Sequence, residues 1–243
     1  MAGKQNSKQT YSGRVSGTYG IAGEEESLSM DKKYFNTTKT ARYFILGNPG
    51  KDIRRIWVVL HGYGQLAEHF LQKFNVLKND QTLIIAPEGM HRYYLNGVSG
   101  KVGASWMTKE ERENDITDNV HYLDGLLQEI KSGCSNADVV VLGFSQGVAT
   151  AARWVAYGKV NPVKVIFWGG LFPPDMNWEV ASGIWKTQNV HILIGNEDEF
   201  YTSKDFKAYY APVLTRFGKV EIHEYEGKHA IYENVLNELA IIE

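Results

Sequence analysis

Apolar runs recur along this chain and alternate with segments whose apolar residues repeat at helical spacing. Short apolar runs that are bounded by turn residues are typical of buried strands. The predicted strands are Tyr34 to Leu46, Ile53 to Leu60, Thr82 to Ala86, Asp138 to Leu142, Lys164 to Trp168, Val190 to Ile194 and Val220 to Tyr225. The turn sequence Asn48-Pro49-Gly50 separates the first two, which predicts that the sheet begins antiparallel.

Helices are predicted between most of these strands. They cover Leu66 to Leu77, Ile116 to Lys131, Gln146 to Tyr157, Ser203 to Phe217 and Ala230 to Ile242, with a short helix at Trp178 to Trp185. Ser203 is a candidate cap, Pro212 should kink its helix, and Gly218 should end it. Strands that alternate with helices in this way predict an α/β fold with a mostly parallel central sheet and helices on both faces.

Composition limits the possible functions. The 243-residue chain carries 26 basic and 28 acidic residues, so its formal charge of −2 gives no reason to expect a nucleic-acid partner. Its length suits one domain, which we place at residues 16–243 behind a polar, flexible segment at residues 1–15. No apolar run reaches the length of a signal peptide or a membrane span, which predicts a cytoplasmic protein without stable membrane insertion. The one cysteine, Cys134, excludes an internal disulfide.

The segment Gly143-Phe144-Ser145-Gln146-Gly147 follows a predicted strand and precedes a predicted helix. A Gly-x-Ser-x-Gly in that position is typical of a nucleophile elbow, in which a strained serine projects its hydroxyl above the sheet. Ser145 is therefore the candidate nucleophile. The alternative is an ordinary turn in which Ser145 only caps the helix.

A serine nucleophile needs a histidine base and an acid that orients it, and both should follow Ser145 in the chain. His191 and His223 lie inside predicted strands, where an imidazole is more often packed or solvated than catalytic. His229 lies in a loop after the last strand, at the sheet edge where α/β enzymes gather their chemistry. Asp198 follows the preceding strand and is the preferred acid, with Asp175 as its rival.

An oxyanion hole is expected in the loop after the strand Ile53 to Leu60, where the sequence is Leu60-His61-Gly62-Tyr63-Gly64. The backbone N–H groups of Tyr63 and of Gln146, the residue after the nucleophile, are the predicted donors. A plain glycine-rich turn is the alternative. A dinucleotide loop is disfavoured because Ala67 stands where the third glycine would be.

These motifs resemble the phospholipase/carboxylesterase family of α/β-hydrolases, which includes acyl-protein thioesterases and small carboxylesterases. The resemblance covers about residues 55 to 243 and includes, besides the segments above, Ala86-Pro87-Glu88-Gly89, Ser105-Trp106, Gly195-x-x-Asp198 and Gly227-Lys228-His229. It implies an α/β-hydrolase fold, a Ser145, Asp198 and His229 triad, and oxyanion donors at Tyr63 and Gln146. It also implies that Trp106 lies near the substrate.

The resemblance and the motifs together predict a serine carboxylesterase without metal or cofactor, because no cluster has metal-ligand spacing in the sequence. Three departures weaken the thioesterase interpretation, namely Val148 after the elbow, Met107-Thr108 after Trp106, and Gln65 in the oxyanion loop. The connection Gly169 to Asn189 is too short for a large lid, which favours small soluble acyl or aryl esters. A lysophospholipase, an acyl-protein thioesterase, an acyltransferase and a non-catalytic ligand-binding protein stay open as alternatives. The oligomeric state is not predicted.

Overall fold

The computed structural model describes residues 31–241. The chain separates into two compact units after Lys39. In the first unit, residues 31–39 are exposed and form no helix or strand. The predicted flexible segment at residues 1–15 lies outside the described residues, as does the predicted last helical residue, Ile242. Among the described helices, none combines the length and the apolar character that crossing a bilayer requires.

A seven-stranded sheet forms the centre of the fold, with the strand order β1-β3-β2-β6-β7-β8-β9. β1 pairs antiparallel with β3, and every other neighbouring pair in this sheet is parallel. The remaining strands, β4 and β5, form a separate antiparallel pair. The strands are β1 Tyr43–Leu46, β2 Arg55–Leu60, β3 Thr82–Pro87, β4 His91–Tyr94, β5 Val102–Ser105, β6 Asp138–Phe144, β7 Lys164–Trp168, β8 Asn189–Gly195 and β9 Lys219–Tyr225.

Helices cover both faces of this sheet, as the alternation of elements predicts. They are α1 Ala67–Leu71, α2 Arg112–Lys131, α3 Gln146–Tyr157, α4 Trp178–Trp185, α5 Ser203–Leu214 and α6 Glu233–Ile241, and a 3-10 helix, Gln72–Leu77, continues α1. One hydrophobic cluster joins the sheet to α2 through α5, and a second joins the opposite face to α1, the 3-10 helix and α6. The inner strands are buried on both faces, which explains their continuous apolar sequences.

Two predictions about strands need correction. The first strand is only Tyr43–Leu46, because the polar residues before it are exposed and form no strand, and its neighbour is β3 rather than β2. The sheet does begin antiparallel, but β3 lies between β1 and β2. The β4–β5 hairpin, which includes Tyr93 and Tyr94, was not predicted. Its short strands have little of the apolar alternation that identifies a strand in sequence.

Two predicted features of α5 also differ. Thr202, rather than Ser203, caps the helix, since the Thr202 hydroxyl accepts a hydrogen bond from the Asp205 N–H at 3.1 Å. The helix ends at Leu214, shortly after Pro212 and before the predicted end at Phe217.

Candidate active site

Ser145 has the strained backbone of a nucleophile elbow. Its φ is 53° and its ψ is −117°, between the end of β6 and the start of α3. A non-glycine residue at positive φ is uncommon, and such strain is concentrated at functional sites. The Ser145 N–H donates to the Trp168 carbonyl at 2.9 Å, which ties the turn to β7.

The glycines of the elbow are required by close backbone packing. A Cβ at Gly147 would lie 2.2 Å from the Leu60 carbonyl oxygen, and one at Gly143 would lie 2.4 Å from the Gly147 oxygen. Both distances are shorter than any real contact, so a side chain at either position would push the helix away from the sheet. The Gly-x-Ser-x-Gly pattern is therefore explained by packing as well as by backbone strain.

Asp198 and His229 are joined by a hydrogen bond of 2.7 Å between the Asp198 Oδ2 and the His229 Nδ1. The Asp198 carboxylate is fully buried, and its Oδ1 accepts from the backbone N–H groups of Phe200 and Tyr201 at 2.9 and 3.2 Å. These bonds hold the carboxylate so that Oδ2 faces the imidazole. The His229 N–H in turn donates to the Glu199 carboxylate at 3.1 Å.

Ser145 and His229 both border the segment that follows β7. A Cβ at Gly169 would lie 3.2 Å from the His229 ring, and a Cβ at Gly170 would lie 2.2 Å from the Ser145 carbonyl oxygen. The Phe144 ring, next to Ser145 in the chain, lies 4.8 Å from the His229 ring between centroids. The structure therefore brings the three predicted residues to the carboxyl edge of the sheet, where β6, β8 and β9 end. No hydrogen bond links the Ser145 hydroxyl to His229 or to any other described residue.

Asp175, the rival acid, has a different role. Its carboxylate pairs with Arg112 at 2.6 Å and with Arg153 at 2.7 Å, and no hydrogen bond joins it to a histidine among residues 31–241. Although burial alone would raise it, the pKa of Asp175 is lowered by the charge and hydrogen bond of Arg153 and by the charge of Arg112. Asp175 is thus an ion-pair residue that links α2 to α3.

The predicted oxyanion loop follows β2 and is braced by its own side chains. The Gly62 N–H donates to the Gln65 Oε1 at 2.8 Å, and the same glycine would place a Cβ 3.2 Å from the Cβ of Ser145. The loop therefore lies against Ser145. Neither the Tyr63 N–H nor the Gln146 N–H donates to a described residue, and Gln146 is the first residue of α3, whose N–H has no partner within the helix.

The β4–β5 hairpin supports this loop from the outside. The Gly64 N–H donates to the Ala104 carbonyl at 2.8 Å, and the Ala104 N–H donates to the Gln65 carbonyl at 3.3 Å. A Cβ at Gly103 would lie 2.5 Å from the Gly64 carbonyl oxygen, so the hairpin approaches as closely as backbone allows. Sequence reasoning missed this support because the hairpin itself was missed.

Trp106 differs from its prediction as a substrate contact. The indole is completely buried, stacks on His61 and donates from Nε1 to the His61 carbonyl at 2.8 Å. His61 is buried too, and its Nε2 accepts from the Gly89 N–H at 2.9 Å while its Nδ1 lies 2.8 Å from the Gly62 carbonyl. Burial lowers the pKa of His61, which favours the neutral ring that this pattern requires. Trp106 thus supports the oxyanion loop and exposes no surface to a substrate.

The hydrogen bonds of the Gln146 side chain explain why glutamine follows Ser145. Its Nε2 donates to the Ser105 hydroxyl at 3.0 Å and to the Met107 carbonyl at 2.9 Å, and its Oε1 accepts from the Trp106 N–H at 3.1 Å. One amide therefore connects the start of α3 to the chain on both sides of Trp106. The identity of this side chain matters for positioning, while its backbone N–H is the predicted oxyanion donor.

Glu88 anchors the other side of the loop as a buried carboxylate. It pairs with Arg42 at 2.7 Å and with Arg92 at 3.4 Å, and it accepts from the Ala67 N–H at 3.2 Å. Burial alone would raise its pKa, but these donors, with Arg42 first among them, keep the pKa of Glu88 below the usual value. The motif Ala86-Pro87-Glu88-Gly89 is thereby explained, since Glu88 fixes the start of α1 and Gly89 holds His61.

An open groove of about 460 Å³ lies beside the oxyanion loop. Leu66, Phe70 and Leu95 line it with apolar surface, and Lys73 and Lys101 stand among its lining residues. On another side of the site, the exposed Phe200 ring packs edge-on against His229, with centroids 4.6 Å apart. Phe200 therefore provides exposed apolar surface beside the predicted base, and the groove adjoins the predicted oxyanion loop.

Comparisons with known proteins agree with this architecture. A solved acyl-protein thioesterase 2 from Zea mays has a TM-score of 0.64 at 18% identity, over 82% of this chain and 96% of that one. A phospholipase/carboxylesterase from Dyadobacter fermentans has a TM-score of 0.61 at 18% identity, over 84% and 96%. A Bacillus cereus carboxylesterase has a TM-score of 0.60 at 14% identity, over 82% and 91%. At these identities the likeness establishes the fold.

Curated protein sequences yielded no significant match. A family model, in contrast, covers most of the chain: the one described as Phospholipase/Carboxylesterase matches residues 42–241. The chain therefore belongs to the phospholipase/carboxylesterase family of α/β-hydrolases.

Proposed function

We propose that this protein is a serine carboxylesterase that hydrolyses small soluble acyl or aryl esters through an acyl-enzyme. The observation that carries the proposal is the Asp198–His229 hydrogen bond of 2.7 Å next to a serine with a φ of 53°. A buried carboxylate, an imidazole and a strained serine at one sheet edge are the parts of a catalytic triad. A structural role alone would not require the serine to keep such a backbone.

In the proposed reaction, Asp198 holds the His229 proton on Nδ1, which leaves Nε2 free to accept the proton of Ser145. The serine oxygen attacks the ester carbonyl, and His229 returns the proton to the leaving alcohol. Water that is activated by the same imidazole then hydrolyses the acyl-enzyme and regenerates Ser145. The Ser145–His229 contact is formed when substrate enters, since catalytic hydrogen bonds are often long or misaligned before substrate binds.

The negative charge that develops on the carbonyl oxygen is stabilised by the backbone N–H groups of Tyr63 and Gln146 in this proposal. Both groups lack a partner among residues 31–241, so each is free to donate. Removal of one oxyanion donor typically lowers kcat by about 10²–10³-fold, so the position of the loop matters greatly. Trp106 and the β4–β5 hairpin contribute by holding the Tyr63 peptide in place.

Small substrates are favoured because little covers the site. The connection after β7 contains only α4, an eight-residue helix, and the groove beside the oxyanion loop is open and of modest volume. Burial of each additional methylene contributes about 0.8 kcal/mol, so chain-length preference should change gradually until the groove is filled. The proposal therefore expects kcat/KM to level off or fall for long acyl chains.

The test of the chemistry is labelling with a fluorophosphonate probe, with the Ser145→Ala variant as the control. Wild type should be labelled and should hydrolyse p-nitrophenyl butyrate, and Ser145→Ala should do neither. Equal labelling of both proteins would overturn the assignment of Ser145. Absence of ester turnover in a labelled, folded wild type would favour a ligand-binding role.

The test of substrate class is a series of p-nitrophenyl esters from acetate to palmitate, with a thioester and a lysophospholipid alongside. A steady rise of kcat/KM up to palmitate, or activation above the critical micelle concentration, would favour a lysophospholipase instead. Preference for the thioester would favour a thioesterase. Product analysis with a competing alcohol or amine separates hydrolysis from acyl transfer.

A further inference from the structure

Two strands bring together three side chains that have no role in the proposed esterase. His191 on β8 pairs in register with Glu221 on β9, and His223 lies two residues further along β9, on the same face. The His191 Nδ1 and the His223 Nε2 are 3.0 Å apart. The Glu221 Oε2 lies 3.9 Å from the first nitrogen and 3.7 Å from the second.

We propose that His191, Glu221 and His223 form a transition-metal site that is separate from the active site. Zinc is bound at about 2.1 Å by imidazole and carboxylate ligands, which places the ligand atoms of a tetrahedral site about 3.4 Å apart. The three observed separations, 3.0, 3.7 and 3.9 Å, lie on both sides of this value. Shifts of a few tenths of an ångström, together with rotation of each imidazole so that its lone pair points at the metal, therefore complete three corners of a tetrahedron, and water takes the fourth.

The two imidazoles already point their ligand nitrogens at each other. Their planes differ by only 19° and their centroids are 5.2 Å apart, which is the geometry of two nearly coplanar rings that share one proton. A metal ion replaces that shared proton, which moves to the far nitrogen of its own ring. His223 and Glu221 can adjust because they are partly exposed, at 28% and 37% of their side-chain surface.

His191 is the anchor of the site because it is completely buried. Its Nε2 has no hydrogen-bond partner among the described residues, so its one polar contact is made by the Nδ1 that faces the cluster. With a metal on Nδ1, the ring proton lies on Nε2, where no existing hydrogen bond has to be broken. Burial and the charge of Lys164 lower the pKa of His191 to about 4, so the imidazole is in the neutral form that binds metals.

The surrounding charges decide which metals fit. Lys219 pairs with the other Glu221 oxygen, Oε1, at 3.3 Å and leaves Oε2 toward the imidazoles. The Lys164 ammonium donates to the Leu239 carbonyl of α6 at 2.9 Å. Its positive charge also disfavours the binding of a metal cation at His191. Two imidazoles and one carboxylate suit Zn²⁺, Ni²⁺ or Cu²⁺, whereas Ca²⁺ and Mg²⁺ need more oxygen ligands than this cluster offers.

This cluster cannot be recognised from sequence spacing, because Glu221 and His223 are about thirty residues from His191. The pairing register of β8 and β9 brings the three side chains together. The cluster lies on the α6 face of the sheet, before the strands reach their carboxyl ends. Tyr225, two residues beyond His223, separates it from the loop that carries His229, and the Tyr225 hydroxyl lies 3.2 Å from the Lys228 carbonyl. The site can therefore be tested independently of catalysis.

The test uses protein without a histidine tag. Calorimetry measures the binding of added Zn²⁺, and visible absorption measures the binding of added Co²⁺. Wild type should bind one equivalent, show the d–d bands of a four-coordinate Co²⁺ and gain thermal stability from the metal. His223→Ala and Glu221→Gln should weaken binding by at least about tenfold, since each removes one of three protein ligands. His121→Ala, an exposed histidine on α2, should bind like wild type.

The His229→Ala variant separates this site from the active site. It should keep the metal affinity while it loses esterase activity, whereas binding that disappears with His229 would place the ion at the active site and overturn the proposal. Unchanged Zn²⁺ affinity in a folded His223→Ala would overturn it as well. Because His223 and Glu221 are partly exposed, both variants should fold, and circular dichroism checks this.

Discussion

Replacement of Asp198 by asparagine separates the two candidate acids. Asp198 Oδ1 accepts from two backbone N–H groups, those of Phe200 and Tyr201, so an asparagine must place its carbonyl oxygen there. Its NH₂ group then occupies the Oδ2 position, 2.7 Å from the His229 Nδ1. Because the NH₂ group is a donor, the His229 Nδ1 must accept its hydrogen bond and cannot carry a proton. The imidazole proton then lies on Nε2, so the imidazole can no longer take a proton from Ser145.

The expected loss of kcat is about 10⁴-fold, the size seen for this change in a serine protease, and it corresponds to about 5.5 kcal/mol of transition-state stabilisation. Stability should change little, because the substituted asparagine would keep all three hydrogen bonds, and a net loss of about 1 kcal/mol is expected. The assay measures kcat and KM with p-nitrophenyl butyrate, together with urea unfolding.

Asp175→Asn is the matched control. It removes the charge that pairs with Arg112 and Arg153, so it should lower stability by about 1–3 kcal/mol and leave kcat within a factor of about two. If a folded Asp175→Asn lost activity while Asp198→Asn stayed nearly normal, the argument from the Asp198–His229 bond would be refuted.

Three further predictions concern the supports of the site. Trp106→Phe leaves the buried His61 carbonyl without the donor that lies 2.8 Å from it, so kcat should fall about tenfold while KM stays nearly unchanged. A change in KM alone would instead indicate that Trp106 contacts the substrate. Gly103→Ala places a Cβ 2.5 Å from the Gly64 oxygen and should lower kcat at least about tenfold, whereas Gly125→Ala on α2, where a Cβ meets nothing, should leave kcat unchanged. Glu88→Gln should cost about 1.5–3 kcal/mol at pH 7. Because the folded pKa of Glu88 lies below its usual 4.5, this stabilisation is complete above that pH and disappears as the pH falls through the lower folded pKa. Urea unfolding of wild type and Glu88→Gln should therefore converge in acid, and a constant difference from about pH 7 to about pH 3 would contradict the ion-pair account.

Ser145 and Asp198 were accessible from the sequence because each follows a strongly apolar strand, whereas His229 follows the alternating strand β9. Strongly apolar strands are recognised by composition alone, and the chain order then limits the choices for acid and base. The bounds of α3, α4 and β7 agree with the prediction for the same reason, since turn residues surround clear apolar patterns.

The supports of the site were not accessible in this way. The hairpin that braces the oxyanion loop has short strands with the sequences His91-Arg92-Tyr93-Tyr94 and Val102-Gly103-Ala104-Ser105, in which polar and small residues dominate. The burial of Trp106 depends on its bond to His61, which is far away in sequence. Such contacts depend on strand order and register, and β1 demonstrates that neighbours in sequence need not be neighbours in the sheet.

The positive φ of Ser145 has a consequence for attempts to make this protein more stable. A non-glycine residue in that region costs about 1–3 kcal/mol, which the packing of α3 against β2 and β6 must offset. Ser145→Gly should relax this strain and raise the melting temperature while it removes the hydroxyl. Selection for heat resistance alone would therefore favour loss of the proposed nucleophile, and a screen of variants must measure turnover and melting temperature together.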